Sequence, residues 1–425
     1  MKDHINRLVL HNEIHARPPE SIQGPMAISH LVMLYASSTK EESRAHLLEL
    51  LSAHQLPTPS EQANHISVNF GIFSLRWELH TEFASWTFMR HASEQMLCVN
   101  AQAQTASDKV PKAWLEKLPG ECLSKVHLWI LPTKTVEHPQ LIEYLLHEES
   151  LVASTLADGY GEIYTDFQIH ADGFSRMILL AGSLAARRQG RLVQQLLEIE
   201  TYRMAALLGL PAAWQASAVL MNAEKELAEL AQAIQTASEH DEASLLDSLT
   251  RLAGVVEGQY ASTHSRFSAS KAYFELVDRR IADISETRLP GLQTIADFME
   301  RRLSPARSTC EWASLRQTAL SERVSRMSNL LRTRVTFHQQ QTSQQSLNAM
   351  NKRQGLQLQL QATVEGLSVA AITYYIMGLI DHFTKAAQAF ALINSPDVAN
   401  AISLPFVVAF VWWAIHKTHQ RVFKN

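Results

Sequence analysis

The sequence predicts an α+β protein that ends in a transmembrane helical hairpin. Three patterns carry this. Apolar and polar residues alternate in short runs through the first 182 residues, and from there to residue 365 apolar residues return every three or four positions. Beyond that, residues 366–380 and 398–415 contain no charge at all. Period two marks strands, period 3.6 marks helices, and a charge-free run of about 20 residues can cross a bilayer. Composition agrees: 46% apolar and 19% charged residues exclude a disordered chain, and 15 Gly and 14 Pro in 425 residues favour long helices.

The first zone, 1–182, reads as a cytosolic α/β domain. Strands are predicted at 27–35, 65–72, 74–81 and 83–90, then at 125–132, 150–157, 161–169 and 174–181. Helical stretches at 40–54 and 138–148 fall between the first and second strand of each set. The order strand, helix, strand, strand, strand is thus read twice. SHLVML at 29–34 echoes KVHLWIL at 125–131, and HTEF at 80–83 echoes YTDF at 164–167. These repeats predict an internal duplication, with the halves sharing one sheet or packing face to face. The first 20 residues hold no apolar h-region, so no secretory signal is expected.

The second zone, 183–304, is predicted helical with coiled-coil character. Leu220, Ala223, Leu227, Leu230, Ile234 and Ala237 keep a three-four spacing, which Leu245, Leu249, Leu252 and Val256 resume after a polar break at 238–242. Pro211 and Pro290-Gly291 mark further breaks. Residues 310–365 form a long polar stalk helix with the stripe Leu320, Val324, Met327 and Leu331, and no Pro separates it from the first charge-free run.

Residues 366–416 are predicted to form two transmembrane helices, followed by a basic tail at 417–425. The second run reaches spanning length. The first falls short unless its helix continues past Asp381, His382 and Lys385. Tyr374, Tyr375, Trp412 and Trp413 are interfacial residue types. Lys352 and Arg353 precede the first run and Lys417, Arg421 and Lys424 follow the second, whereas the intervening loop has Lys385 alone among basic residues. The positive-inside rule then predicts an inner-membrane protein with both termini in the cytoplasm.

Candidate functional residues fall in three groups. His11, Glu13 and His15 form H-x-E-x-H; on a helix the two histidines stand one turn apart, yet Pro18 and Pro19 end any helix there, and surface histidines are the plainer reading. Glu78, His80 and Glu82 alternate along a predicted strand, which puts three ionisable groups on one face. That face must be wet or paired with Arg76, Arg90 or Arg176, and is otherwise a small-ligand or cation site. Asp166 and Gln168 repeat the arrangement in the second half, with His170 following. At the membrane, Glu365 and Asp381-His382 lie at the inner and outer ends of the first span, as interface residues or as the mouths of a cation path.

Other chemistry finds little support. Cys98, Cys122 and Cys310 are odd in number and far apart, so neither a disulfide framework nor a zinc knuckle is expected. No Gly-rich phosphate loop or Ser-His-Asp order stands out. Lys and Arg total 38 against 42 Asp and Glu. Residues 266–334 are locally basic, with twelve Arg and one Lys against eight acids, but the signs alternate along helices. An ion-paired helix face or contact with anionic lipid is expected there, and nucleic acid is not.

HNEIHARPP (11–19), LRWELHTEF (75–83), TDFQIHADGFSRM (165–177), GRLVQQLLEIETYRMAALLGLP (190–211) and TVEGLSVAAITYY (363–375) together resemble the bacterial domain-of-unknown-function 3422 family over nearly the whole chain. The resemblance implies a bacterial two-pass membrane protein and carries over no catalytic residues. In layout alone the chain is similar to the CorA magnesium-transporter family, but Tyr375-Ile376-Met377-Gly378-Leu379 stands where that family has Gly-Met-Asn. The leading expectation is a non-enzymatic, homo-oligomeric anchor, scaffold or sensor on the lipid bilayer. A CorA-like channel lined by the first span is the second, and a membrane-tethered metal-dependent enzyme the third. The one cofactor suggested is a divalent cation.

Overall fold

The computed structural model describes residues 3–8, 11, 19–35, 39–60, 63–92, 103–133, 138–389 and 395–422. It is a mixed α+β structure with a nine-stranded sheet in the N-terminal part and a mostly helical remainder. The strands are β1 (Met26–Leu34), β2 (His65–Asn69), β3 (Ser74–Leu79), β4 (Phe83–His91), β5 (Glu121–Leu131), β6 (Val152–Leu156), β7 (Gly161–Thr165), β8 (Ser175–Leu180) and the two-residue β9 (Thr287–Arg288). The helices are α1 (Thr39–Ala53), α2 (Lys112–Leu115), α3 (His138–Leu145), α4 (Ala186–Leu207), α5 (Gly209–Thr236), α6 (Glu242–Asp283), α7 (Ile295–Arg302), α8 (Ser304–Ala389) and α9 (Pro396–Val422). All eight strands read from alternation are present; β9 arises from the helical zone and pairs with the edge strand β6.

The sheet order is β2-β3-β4-β1-β5-β8-β7-β6-β9. Each set of four strands therefore runs first, fourth, third, second, and the two first strands are antiparallel neighbours at the centre, with Ser29 opposite His127. Direction does not repeat. β1 is antiparallel to β4, whereas β5 is parallel to β8. The chain after β1 re-enters the sheet antiparallel to it, and the chain after β5 re-enters parallel.

The chain divides into two compact units, 1–235 with 247–328, and 236–246 with 329–425. In the first unit, α1 and α3 cover one face of the sheet. Leu47, Leu50 and Leu51 pack on Trp77, Trp86 and Phe88, and Leu141, Leu145 and Leu146 pack on Trp129, Ile178 and Leu180. On the opposite face Leu192, Val193, Leu196 and Leu197 of α4 meet Leu128, Ile130, Ile163 and Leu179, with Phe274, Val277 and Met299 joining from α6 and α7. The predicted stripes are buried in α5, α6 and α8: Leu220, Ala223 and Leu227, then Leu249, Leu252 and Val256, then Leu320 and Val324. Arg316 of α8 bonds both oxygens of Glu224 in α5 at 2.8 and 2.6 Å, and Gln317 donates to Thr263 of α6 at 2.8 Å.

In the second unit the buried Glu242 carboxylate meets Arg334 Nε at 2.6 Å and His338 Nδ1 at 3.0 Å. Helix α8 runs through Asp381, His382 and Lys385 without a break, so the first charge-free run does lengthen as a spanning helix requires. The helix begins at Ser304-Pro305, directly after α7 ends at Arg302, as Pro suits a first turn. Among the described residues, three helical stretches are long and apolar enough to cross a membrane: Ala186–Thr236, which joins α4 and α5, Ser304–Gln388 and Asp397–Lys417. The first has a third of its apolar window buried, against 6% in each of the other two.

Candidate functional site

Alternation in β4 sends Ala84, Trp86 and Phe88 to the α1 side and Ser85, Thr87 and Met89 to the α4 side. β3 does the same, with Leu75, Trp77 and Leu79 toward α1 and Arg76 and Glu78 toward α4. Under α4 the sheet is therefore apolar in its second half and polar in its first. The polar half does not close against the helix, and a cavity of about 270 Å³ remains. His30, Arg76, Glu78, His80, Ser85 and Thr87 line it from the sheet side, and Gln194, Glu198, Thr201 and Tyr202 line it from α4, with Arg280 of α6.

Charge is paired inside. Arg76 donates to Glu78 at 2.9 Å, and both side chains are largely buried. Burial pushes the Glu78 carboxyl up, but the hydrogen bond and charge of Arg76 outweigh it and hold the group below the usual carboxylate range. Arg280 donates to Glu198, which also accepts from Gln194 at 2.8 Å. His30 lies between Thr87 (2.8 Å from Nδ1) and Thr201 (3.1 Å from Nε2). Burial lowers its imidazole to about 4; His80 and Arg76 push the same way and Glu78 opposes them. The Ser85 hydroxyl, in a residue only 3% exposed, and Gln194 Oε1 have no hydrogen-bond partner among the described residues. A buried polar atom so placed costs about 1–3 kcal/mol unless a ligand or water meets it.

The predicted Glu78-His80-Glu82 face is only partly assembled. β3 ends at Leu79, and His80 N–H donates to Phe83 O at 2.8 Å, closing a tight turn into β4. Glu78 and His80 reach the cavity, but Glu82 is carried off the strand face by that turn. Arg266 holds it bidentately at 2.6 and 3.2 Å, and Tyr273 donates to it at 3.1 Å. Of the three arginines offered as partners, Arg76 pairs with Glu78, while Arg90 donates to Gln104 and Arg176 to Asp172.

Asp166 and His170 meet at 2.9 Å, and His147 joins them, its ring parallel to that of His170 with centroids 4.7 Å apart. No spacing motif links His147 to the other two, so sequence reasoning missed it. It also missed His30, an apparent core residue of an apolar strand, and the buried contact of Ser29 Oγ with His127 Nδ1 at 2.9 Å. Of the N-terminal group, His11 is exposed, and Glu13 and His15 lie outside the described residues. Asp381 accepts from Lys385 at 2.6 Å and Asn400 at 2.8 Å, Glu365 meets Gln361 at 3.4 Å, and His382 is exposed. The basic stretch is extensively ion-paired, through Arg266–Glu82, Arg307–Asp278, Arg316–Glu224 and Arg334–Glu242.

No curated protein and no solved structure matches the chain. The model of one family, described as protein of unknown function (DUF3422), matches residues 2–422, nearly the whole length on which these features lie, and the chain belongs to that family.

Proposed function

We propose that this protein is a membrane-anchored receptor for a small polar molecule. The observation that carries it is the charged cavity beneath α4, in which the Ser85 hydroxyl finds no partner among the described residues. Its volume lies just under the roughly 300–1,000 Å³ of pockets for drug-sized ligands, so the ligand is smaller than those. Arg76, Arg280, Glu78 and Glu198 offer both signs of charge, and Thr87, Thr201, Tyr202 and Ser85 offer hydroxyls. A compact amino acid or hydroxy acid fits that chemistry. The fully buried His30 is held neutral and so serves for recognition and not for proton transfer near neutral pH.

The anchor is the pair of apolar stretches in α8 and α9, and the basic residues that flank them favour a bacterial inner membrane with both termini cytoplasmic. The buried stripes in α5, α6 and α8 support a coiled-coil stalk, and the recurring strand order supports a duplicated sheet domain. Exposed apolar helix faces leave room for assembly into a homo-oligomer in the bilayer. A cation-path reading draws no support from Asp381, whose carboxylate is engaged by Lys385 and Asn400.

The test is thermal denaturation of the detergent-solubilised full chain with a panel of amino acids and hydroxy acids at millimolar concentration. At least one should raise the midpoint, since a ligand at about 100 times its Kd adds about 2.7 kcal/mol. Ser85→Val, which replaces the unpartnered hydroxyl with an apolar group, should abolish that rise without lowering the midpoint of the free protein. A panel without effect on the wild type, or an equal rise in Ser85→Val, rejects the reading.

A further inference from the structure

We infer a second site, independent of the cavity: a single divalent transition-metal ion held by His147, Asp166 and His170. Asp166 follows β7 directly, and its side chain is wholly buried. Two backbone groups fix its carboxylate: Gln168 N–H donates to Oδ1 at 3.1 Å and His147 N–H to Oδ2 at 3.0 Å. Each bond takes one lone pair of its oxygen and leaves another. The remaining lone pair on Oδ2 meets His170 Nε2 at 2.9 Å. Donor atoms of all three residues lie within 4.8 Å of one another.

These distances are short enough for the three residues to share one metal ion. A tetrahedral zinc ion with bonds near 2.0–2.1 Å sets its ligand atoms about 3.3 Å apart. Asp166 and His170 already stand close to that separation, and only the exposed His147 ring must turn inward. The carboxylate is oriented by backbone donors in the manner of outer-shell support at metal sites. Two imidazoles and one carboxylate favour zinc or a neighbouring ion over magnesium or calcium, which prefer all-oxygen shells. Arg176, the nearby cation, is committed to Asp172 at 3.0 Å and to Leu145 O at 3.1 Å. With three protein ligands, one of them exposed, a fourth position stays open to water, as in zinc sites that do chemistry.

The test uses the full chain in detergent, purified without a histidine tag and stripped with chelator. Zinc chloride is titrated by calorimetry, and bound zinc is counted by elemental analysis. One tight equivalent per chain is expected. His147→Ala should weaken it about tenfold or more; that variant removes an exposed ring and keeps the backbone N–H that orients Asp166, so the fold is retained. The variants His11→Ala/His15→Ala and His80→Ala should bind as the wild type does, which separates this site from the N-terminal histidines and from the cavity. Cobalt in place of zinc should give the visible absorption of a tetrahedral nitrogen-oxygen site. Zinc that does not bind, or binds equally to His147→Ala, overturns the assignment and leaves Asp166–His170 as an ion pair only.

Discussion

His30 shows how a polar interior is kept uncharged. The Thr201 hydroxyl donates to Leu197 O at 2.8 Å, so toward His30 it accepts, and the imidazole proton sits on Nε2. Nδ1 then accepts from the Thr87 hydroxyl. At His127, Ser107 N–H donates to Ser29 Oγ at 3.0 Å, and Ser29 Oγ meets Nδ1 at 2.9 Å. Burial lowers both rings from 6.5 to about 4. Between those values the unfolded chain binds more protons than the folded one, so stability is fully present above pH 6.5 and is lost as pH falls toward 4. Each ring contributes at most roughly 3 kcal/mol, and Glu78, held low by Arg76, adds loss in the same direction at still lower pH. The melting midpoint of the detergent-solubilised chain should therefore be lower at pH 5 than at pH 7, with a smaller difference in His30→Gln. Equal midpoints at the two pH values would refute the neutral-histidine account.

At the scale of elements, the closest approach around the cavity is that of α4 to the segment before β1. A Cβ at Gly190 would stand 1.7 Å from Glu20 O, so only glycine lets that segment cross the helix. Gly190→Ala should push the segment away and cost about 1–3 kcal/mol, read as a lower melting midpoint and faster proteolysis near Glu20. An unchanged midpoint would mean that the segment does not lie on α4. The turn between β3 and β4 explains why the alternation at 78–82 was legible only in part. Period two holds while the backbone is extended, and nothing in Glu78-His80-Glu82 announces that the strand stops at Leu79. The same limit hid the reversal of β1 relative to β5. Apolar alternation specifies that a segment pairs, and chain direction is set by the connections and by packing on neighbours.

At the scale of the whole molecule, the surface of α8 beyond residue 340 and of α9 is the informative quantity. Leu356, Leu358, Leu360, Leu367, Tyr374, Tyr375 and Phe383 are exposed, as are Phe406, Phe410, Trp412 and Trp413. Apolar surface on that scale is costly in water and normal in lipid. The full chain expressed in a bacterial host should stay with the membrane pellet after alkaline carbonate washing. Release into the supernatant as a folded protein would refute the anchor. The α4–α5 stretch meets the same length and composition criterion, yet α4 packs Leu192, Val193, Leu196 and Leu197 on the sheet and α5 buries Ala213, Ala216 and Leu220. Composition alone does not separate such a helix from a span; burial does.

The sequence by itself determined the elements and their order, because periodicity and charge-free runs are local properties of the chain. It marked Glu78, His80, Asp166 and His170 as ionisable groups in segments that should be apolar, and it carried the family resemblance that the family model supports. Tertiary structure alone decided the company those groups keep. It brought His30 and α4 over Arg76 and Glu78, drew Glu82 away to Arg266, and set His147 beside Asp166 and His170. These partners lie up to 184 residues apart, and nothing local encodes such a meeting. It follows from which sheet face is left polar and which helix is laid across it.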